Sequence, residues 1–95
     1  MAAYVIADVT VTNPAGMEAY VKVAGPTIGQ YGGRALAVSE QAELVEGSWQ
    51  PKRLVVLEFD SLEQAKRWYD SQEYTDAKRM RQQAGTTNLV LVPGL

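Results

Sequence analysis

The chain has 95 residues, 46% of them hydrophobic and 21% charged, which is the make-up of one globular domain over residues 1–95 and not of a disordered segment. Nine basic and eleven acidic residues leave a net charge of −2, without the basic footprint of a nucleic-acid binder. Cysteine and histidine are both absent, which excludes disulfides, thiolate nucleophiles, zinc–cysteine sites and the commonest general base. Any catalysis must therefore run on carboxylates, tyrosines, lysines or arginines.

No run approaches the ~20 apolar residues of a membrane span. The opening Met1-Ala2-Ala3-Tyr4-Val5 lacks the basic region of a signal peptide. A cytoplasmic protein that binds neither membrane nor nucleic acid is expected. From Tyr4 to Val11, β-branched residues alternate as in a strand, with Val5, Ala7, Val9 and Val11 on one face and Tyr4, Ile6, Asp8 and Thr10 on the other. Asn13-Pro14 then opens a helix, because asparagine caps it and proline has no N–H to lose in the first turn. Met17, Tyr20, Val21, Ala24, Ile28 and Tyr31 form its apolar stripe. Gly25-Pro26 is expected to kink or break it, since proline removes one backbone hydrogen bond. Gly32-Gly33 supplies the stop.

A second strand is expected over Arg34–Val38, with a continuation near Glu43–Glu46, before the turn Gly47-Ser48-Trp49-Gln50-Pro51. The strongest strand is Arg53–Phe59, nearly all apolar. Ser61-Leu62-Glu63-Gln64 reads as a capping box in which Gln64 reaches back, and Leu62, Ala65, Trp68 and Tyr69 make that helix's buried face. Ser71 caps a further short helix with Tyr74, Ala77, Met80 and Ala84 inward. The basic stretch Lys78-Arg79-Met80-Arg81 reads as a solvated face. Gly85 ends this helix, and Leu89–Val92 is the last strand.

The order is β-α-β-β-α-β with one extra short helix. It predicts an α+β, ferredoxin-like sandwich: a four-stranded antiparallel sheet, helices on one face, and the first and third strands in the centre. An antiparallel sheet with one wet face alternates apolar and polar residues. The third strand instead presents Val55, Leu57 and Phe59 one way and Leu54 and Val56 the other, and the last strand has no polar face. Helices cover one side only, so a homodimer, sheet against sheet, is the expected partner arrangement.

Several segments in this order resemble the domain-of-unknown-function 1330 family of the dimeric α/β-barrel superfamily. They are Ala3-Tyr4-Val5-Ile6-Ala7-Asp8, Tyr31-Gly32-Gly33, Glu46-Gly47-Ser48-Trp49, Arg53–Phe59, Trp68-Tyr69-Asp70-Ser71 and Glu73-Tyr74. The family often has Asn where this chain has Asp70, and Pro in place of Gln72; both bear on capping. The resemblance implies homodimers whose facing sheets form a barrel, with further assembly open. It also implies a superfamily of cofactor-free oxygenases, haem-degrading enzymes, isomerases and proteins of no known activity, so the fold alone does not fix function. Where haem-degrading relatives carry Asn, Trp and His, this chain aligns Ala7, Phe59 and Lys78. Haem degradation is not expected, and no cofactor or metal is.

Asp8 and Glu58 are the candidate catalytic residues. Both fall on the non-helix face of central strands, where two carboxylates could perturb each other and one become an acid or base. Arg34, expected near Glu58, would clamp an anion. The structural alternative is a paired ion network that sets the dimer's register. The candidate substrate-binding residues are Arg34, Tyr31, Trp68, Tyr69 and Arg53. Tyr31 precedes two glycines that let backbone approach a ligand or simply turn the chain. Trp68, Tyr69 and Tyr74 either line a helix–sheet pocket for a flat apolar molecule or serve as plain core. Arg53 binds a carboxylate or pairs with an acid at the sheet's edge, and Trp49 is expected to pack on the partner subunit. Two functions compete: binding or transforming a small apolar or aromatic metabolite, with cofactor-independent oxidation as its sharpest form, and a non-catalytic dimeric module.

Overall fold

The computed structural model describes residues 1–95. Its elements are β1 (Ala3–Val11), α1 (Pro14–Gln30), β2 (Arg34–Ser39), β3 (Arg53–Phe59), α2 (Leu62–Asp70), α3 (Gln72–Ala84) and β4 (Gly85–Pro93). The strands form one antiparallel sheet in the order β2-β3-β1-β4, so β1 and β3 are central as expected. The helices cover one face, and the chain is the ferredoxin-like α+β sandwich that the alternation predicts. No helix is long and apolar enough to cross a membrane.

Period-two patterning sorts the strands as expected. Ala3, Val5, Ala7 and Val9 of β1 and Leu57 and Phe59 of β3 are buried under the helices. The buried residues fall into two clusters. One gathers Val5, Ala24, Leu57, Phe59, Ala65, Trp68, Tyr74 and Ala77; the other holds Ala7, Val9, Met17 and Ala84. The uncovered face carries Tyr4, Ile6, Asp8 and Thr10 opposite Glu58, Val56 and Leu54 on one side and Val92, Val90, Asn88 and Thr86 on the other.

Several expectations need correction. The helix does not break at Gly25-Pro26; α1 runs unbroken to Gln30 with Pro26 inside it. Both residues are on the exposed side, so the carbonyl that proline leaves without a donor faces water. Gln64 does not close the capping box: Ser61 Oγ accepts from its backbone N–H at 3.1 Å, but the Gln64 side chain donates to the Tyr31 carbonyl at 2.9 Å. Residues Glu43–Glu46 are not a strand. β3 already has β2 and β1 as neighbours, and residues 40–50 are exposed, with Gly47 at φ +92°. β4 begins four residues before the expected Leu89, because Thr86 and Thr87 suit extended backbone. Its open face is therefore polar at one end, at Thr86 and Asn88.

Close approach requires a glycine at position 85 and at position 33. A Cβ on Gly85 would stand 2.2 Å from the Thr10 carbonyl oxygen, where α3 passes directly into β4. A Cβ on Gly33 would meet the Phe59 ring at 2.4 Å, while Gly32 takes the positive φ of +75°. The glycine pair after Tyr31 therefore brings backbone to a core ring.

Candidate functional site

The expected carboxylate pair does not form. Glu58 lies opposite Tyr4 and Asp8 opposite Leu54, so the two acids are four residues apart along β1. That is roughly 13 Å at the rise of a strand. The premise of mutual perturbation fails because both strands are in full register and the acids occupy opposite ends of it. Glu58 instead receives Arg34, whose Nε and Nη2 lie 2.8 and 2.7 Å from the same carboxylate oxygen. At the other end the Trp49 indole donates to Asp8 Oδ2 at 3.0 Å, and the Lys52 backbone N–H donates to Oδ1 at 2.9 Å. These two donors, the Lys52 N–H first and then the indole, hold the Asp8 carboxyl below its ordinary range. Asp8 thus fastens the 40–52 loop to the open face, through the tryptophan expected to reach a partner.

The cavity is on the other side of the sheet. α1 approaches α3 closely and stands off the strands, while α2 settles against β1, β3 and β4. The lining under α1 includes Ala7, Ala24 and Ala35, too small to fill the gap. The result is a cavity of about 390 Å³ between helices and sheet, bordered by both core clusters. Its walls are chiefly aliphatic, with Trp68 and Tyr74 as aromatic panels. That volume lies within the ~300–1,000 Å³ of small-molecule pockets.

Trp68 is fixed by its indole N–H, which donates to Thr27 Oγ1 at 3.0 Å, while Thr27 donates in turn to the Ala24 carbonyl at 2.6 Å. Its ring stacks on Tyr74 with centroids 4.1 Å apart. Tyr69 does not line the cavity. It packs behind Trp68 and Tyr74 and carries Lys78 over its ring, with Nζ 3.7 Å from the centroid. Tyr31 is also outside: its hydroxyl donates to Glu73 at 2.9 Å, and that carboxylate raises the phenol's pKa. Arg34 lies on the open face, beyond the cavity's walls. Of the five expected binding residues the cavity gathers Trp68 and Arg53; Arg53 has no carboxylate within 4.0 Å.

The polar end of the cavity was not foreseen. Arg81 is 5% exposed, so the solvated-face reading of Lys78–Arg81 fails at its last member. The spacing of Tyr74, Ala77, Arg81 and Ala84 is an inward stripe, and all four are buried. That periodicity was the available signal, overshadowed by the run of basic residues. Arg81 Nε donates to the Tyr74 hydroxyl at 3.3 Å, and Tyr74 shares a 2.8 Å hydrogen bond with Tyr20 of α1. Burial, then the neighbouring Tyr74, push the Tyr20 phenol far above its ordinary pKa, so it stays protonated. Burial works against the Arg81 charge, but the tyrosines facing it, Tyr74 foremost, outweigh that and raise its pKa. No carboxylate, lysine or histidine lines this cavity.

Fold and cavity together define a small α+β sandwich with an apolar chamber between its helices and its sheet, polar at one end. Residues 2–95 match the family described as a domain of unknown function, DUF1330, and the chain belongs to that family. No curated protein matches it. Among solved structures it is similar to RPA0582, a protein of unknown function from Rhodopseudomonas palustris, with 17% identity over 99% of this chain and 82% of that one, at a TM-score of 0.76. It is also similar to SnoaB from Streptomyces nogalater, described as a cofactor-independent oxygenase, with 10% identity over 99% and 93% and a TM-score of 0.73. An ethyl tert-butyl ether d family protein from Bacillus halodurans matches over 100% of both chains, at 15% identity and a TM-score of 0.69. At such identities the likeness is one of fold.

Proposed function

We propose that this protein binds a small apolar or aromatic metabolite in the chamber between α1 and the sheet. The observation that carries the reading is the cavity of about 390 Å³, left open by small residues under α1 and closed by Trp68 and Tyr74. Simple core packing has no use for such a space, because protein interiors are otherwise close-packed. Native mass spectrometry of the purified protein tests it. A co-purifying small molecule, or a rise in melting temperature with bicyclic aromatics, is the expected result. Neither signal across a broad panel of aromatic and carboxylate metabolites favours a non-catalytic module without a ligand.

A second reading is oxidation of the bound molecule, favoured by the likeness to SnoaB and its description as a cofactor-independent oxygenase. For the molecule proposed here, the reaction converts an acidic methylene of an electron-rich aromatic into a carbonyl. One atom of dioxygen enters the product and the other leaves as water with the two hydrogens. Asp8 and Glu58 serve no such reaction here, since their strand positions place them on the opposite face of the sheet. The proton must leave to water or through the tyrosine pair. Oxygen uptake with polycyclic phenols bearing an acidic methylene is the check.

The protein is further proposed to work as a homodimer through the open sheet face. Ile6, Leu54, Val56 and Val90 lie there with no helix above them, and Val90 is 54% exposed. A second copy of the same face covers such a patch without a new surface.

A further inference from the structure

The chamber's charge pattern goes beyond its shape. The chain as a whole carries −2, yet the charged residues lining this cavity are two arginines, Arg53 and Arg81, and neither has a carboxylate within 4.0 Å. The remaining ion pairs of the protein all lie elsewhere, at Arg34, Arg67 and Lys22. A buried guanidinium is costly unless an anion compensates it, which is why such groups are nearly always paired. Arg81 is 5% exposed, and the hydrogen bond it makes is to a neutral phenol. That bond satisfies Nε and leaves the charge without a counter-ion.

From this arrangement we infer that the ligand is an organic anion: an apolar or aromatic body bearing one carboxylate or an ionised enol or phenol, whose oxygen pairs with Arg81. The inference rests on the chamber being a ligand site and names the class of molecule it takes. Arg81 supplies the charge and the planar donor fork that suits a carboxylate. Tyr74 accepts from Arg81 Nε and, in the arrangement where it donates to Tyr20, leaves the Tyr20 proton free for the ligand's oxygen. Arg53 also lines the two open clefts beside the chamber, which places it at the mouth, where its charge draws an anion inward. The aliphatic walls then cover the body of the molecule. With the Arg81 charge beside it and no carboxylate in the lining, a bound acid stays ionised.

Titration calorimetry with 2-naphthoate, its uncharged isostere 2-naphthamide, and 2-naphthol above and below its pKa tests this on the intact protein. The wild type is expected to bind naphthoate about ten- to a hundred-fold more tightly than the amide. Tighter binding of naphthol above its pKa than below it would assign the head to an ionised phenol or enol as well as a carboxylate; pH-independent naphthol binding assigns it to the carboxylate alone. Arg81→Met removes the preference, and Arg81→Lys retains part of it. Tyr20→Phe, which keeps the ring, weakens naphthoate more than naphthamide. Should Arg81→Met fail to fold, the wild-type comparison and Tyr20→Phe still decide the matter. Equal affinity for naphthoate and naphthamide overturns the anion assignment while leaving the chamber a ligand site. Binding of none of the probes at millimolar concentration contradicts the ligand site itself, and with it this inference.

Discussion

At the scale of single residues, Thr87 and Asp8 are opposites. Thr87 Oγ1 is buried on the helix side of β4 with no hydrogen-bond partner. An unsatisfied buried hydroxyl costs about 1–3 kcal/mol, and valine has nearly its shape. Thr87→Val is therefore expected to raise the melting temperature by several degrees in a thermal scan; a lower value would mean that the hydroxyl has a partner. Asp8 is fully provided for. Its pKa is depressed below the ordinary 3.8 by the Lys52 N–H and the Trp49 indole, so its hold on the 40–52 loop is complete above that value. The hold is lost as pH falls through the lower folded value. The Trp49 indole N–H resonance should shift in that acid range and lose the transition in Asp8→Asn; a Trp49 signal indifferent to both changes contradicts the contact. Arg81 shows where residue-level reading fell short. Composition marks Lys78–Arg81 as solvent-facing, whereas position on the Tyr74–Ala84 stripe decides burial. For Asp8 and Glu58, parity placed both on the correct face, but their separation depends on strand register, which alternation alone does not contain.

At the scale of elements, legibility followed local chemistry. Asn13, Ser61 and Ser71 each accept from the backbone N–H three residues on, as their types and positions led us to expect. β3 was legible to the residue because an apolar run bounded by turn chemistry has few alternatives. The loop from Glu40 to Lys52 was not, since Leu44-Val45 satisfies strand propensity but pairs with no strand and lies exposed. Pro26 is the remaining conflict. Its context is helical by packing, through Ala24 and Thr27, and anti-helical by its own chemistry. Since Pro26 is exposed, Pro26→Ala should restore the missing hydrogen bond and stabilise the fold by about 1–2 kcal/mol, net of the greater freedom of the unfolded chain. Chemical denaturation measures this directly, and a destabilised variant would show that proline holds α1 in a bent form the core requires.

At the scale of the whole molecule, the two faces of the sheet differ in what they present. The open face carries apolar residues flanked by the Arg34–Glu58 pair at one end and the Asp8–Trp49 contact at the other. The proposed homodimer gives sedimentation equilibrium at twice the chain's mass at micromolar concentration. Val90→Glu combined with Ile6→Lys should return it to the monomer, and a wild-type monomer contradicts the proposal. The helix-side face carries the chamber, the central element of this account. Its most direct test is methyl NMR during titration with 2-naphthoate. Shifts are expected at Val5, Met17, Leu57 and Leu89, which line the chamber, and none at Ile6, Val56 or Val90. Shifts confined to Ile6, Val56 and Val90, or none at saturating ligand, would contradict it.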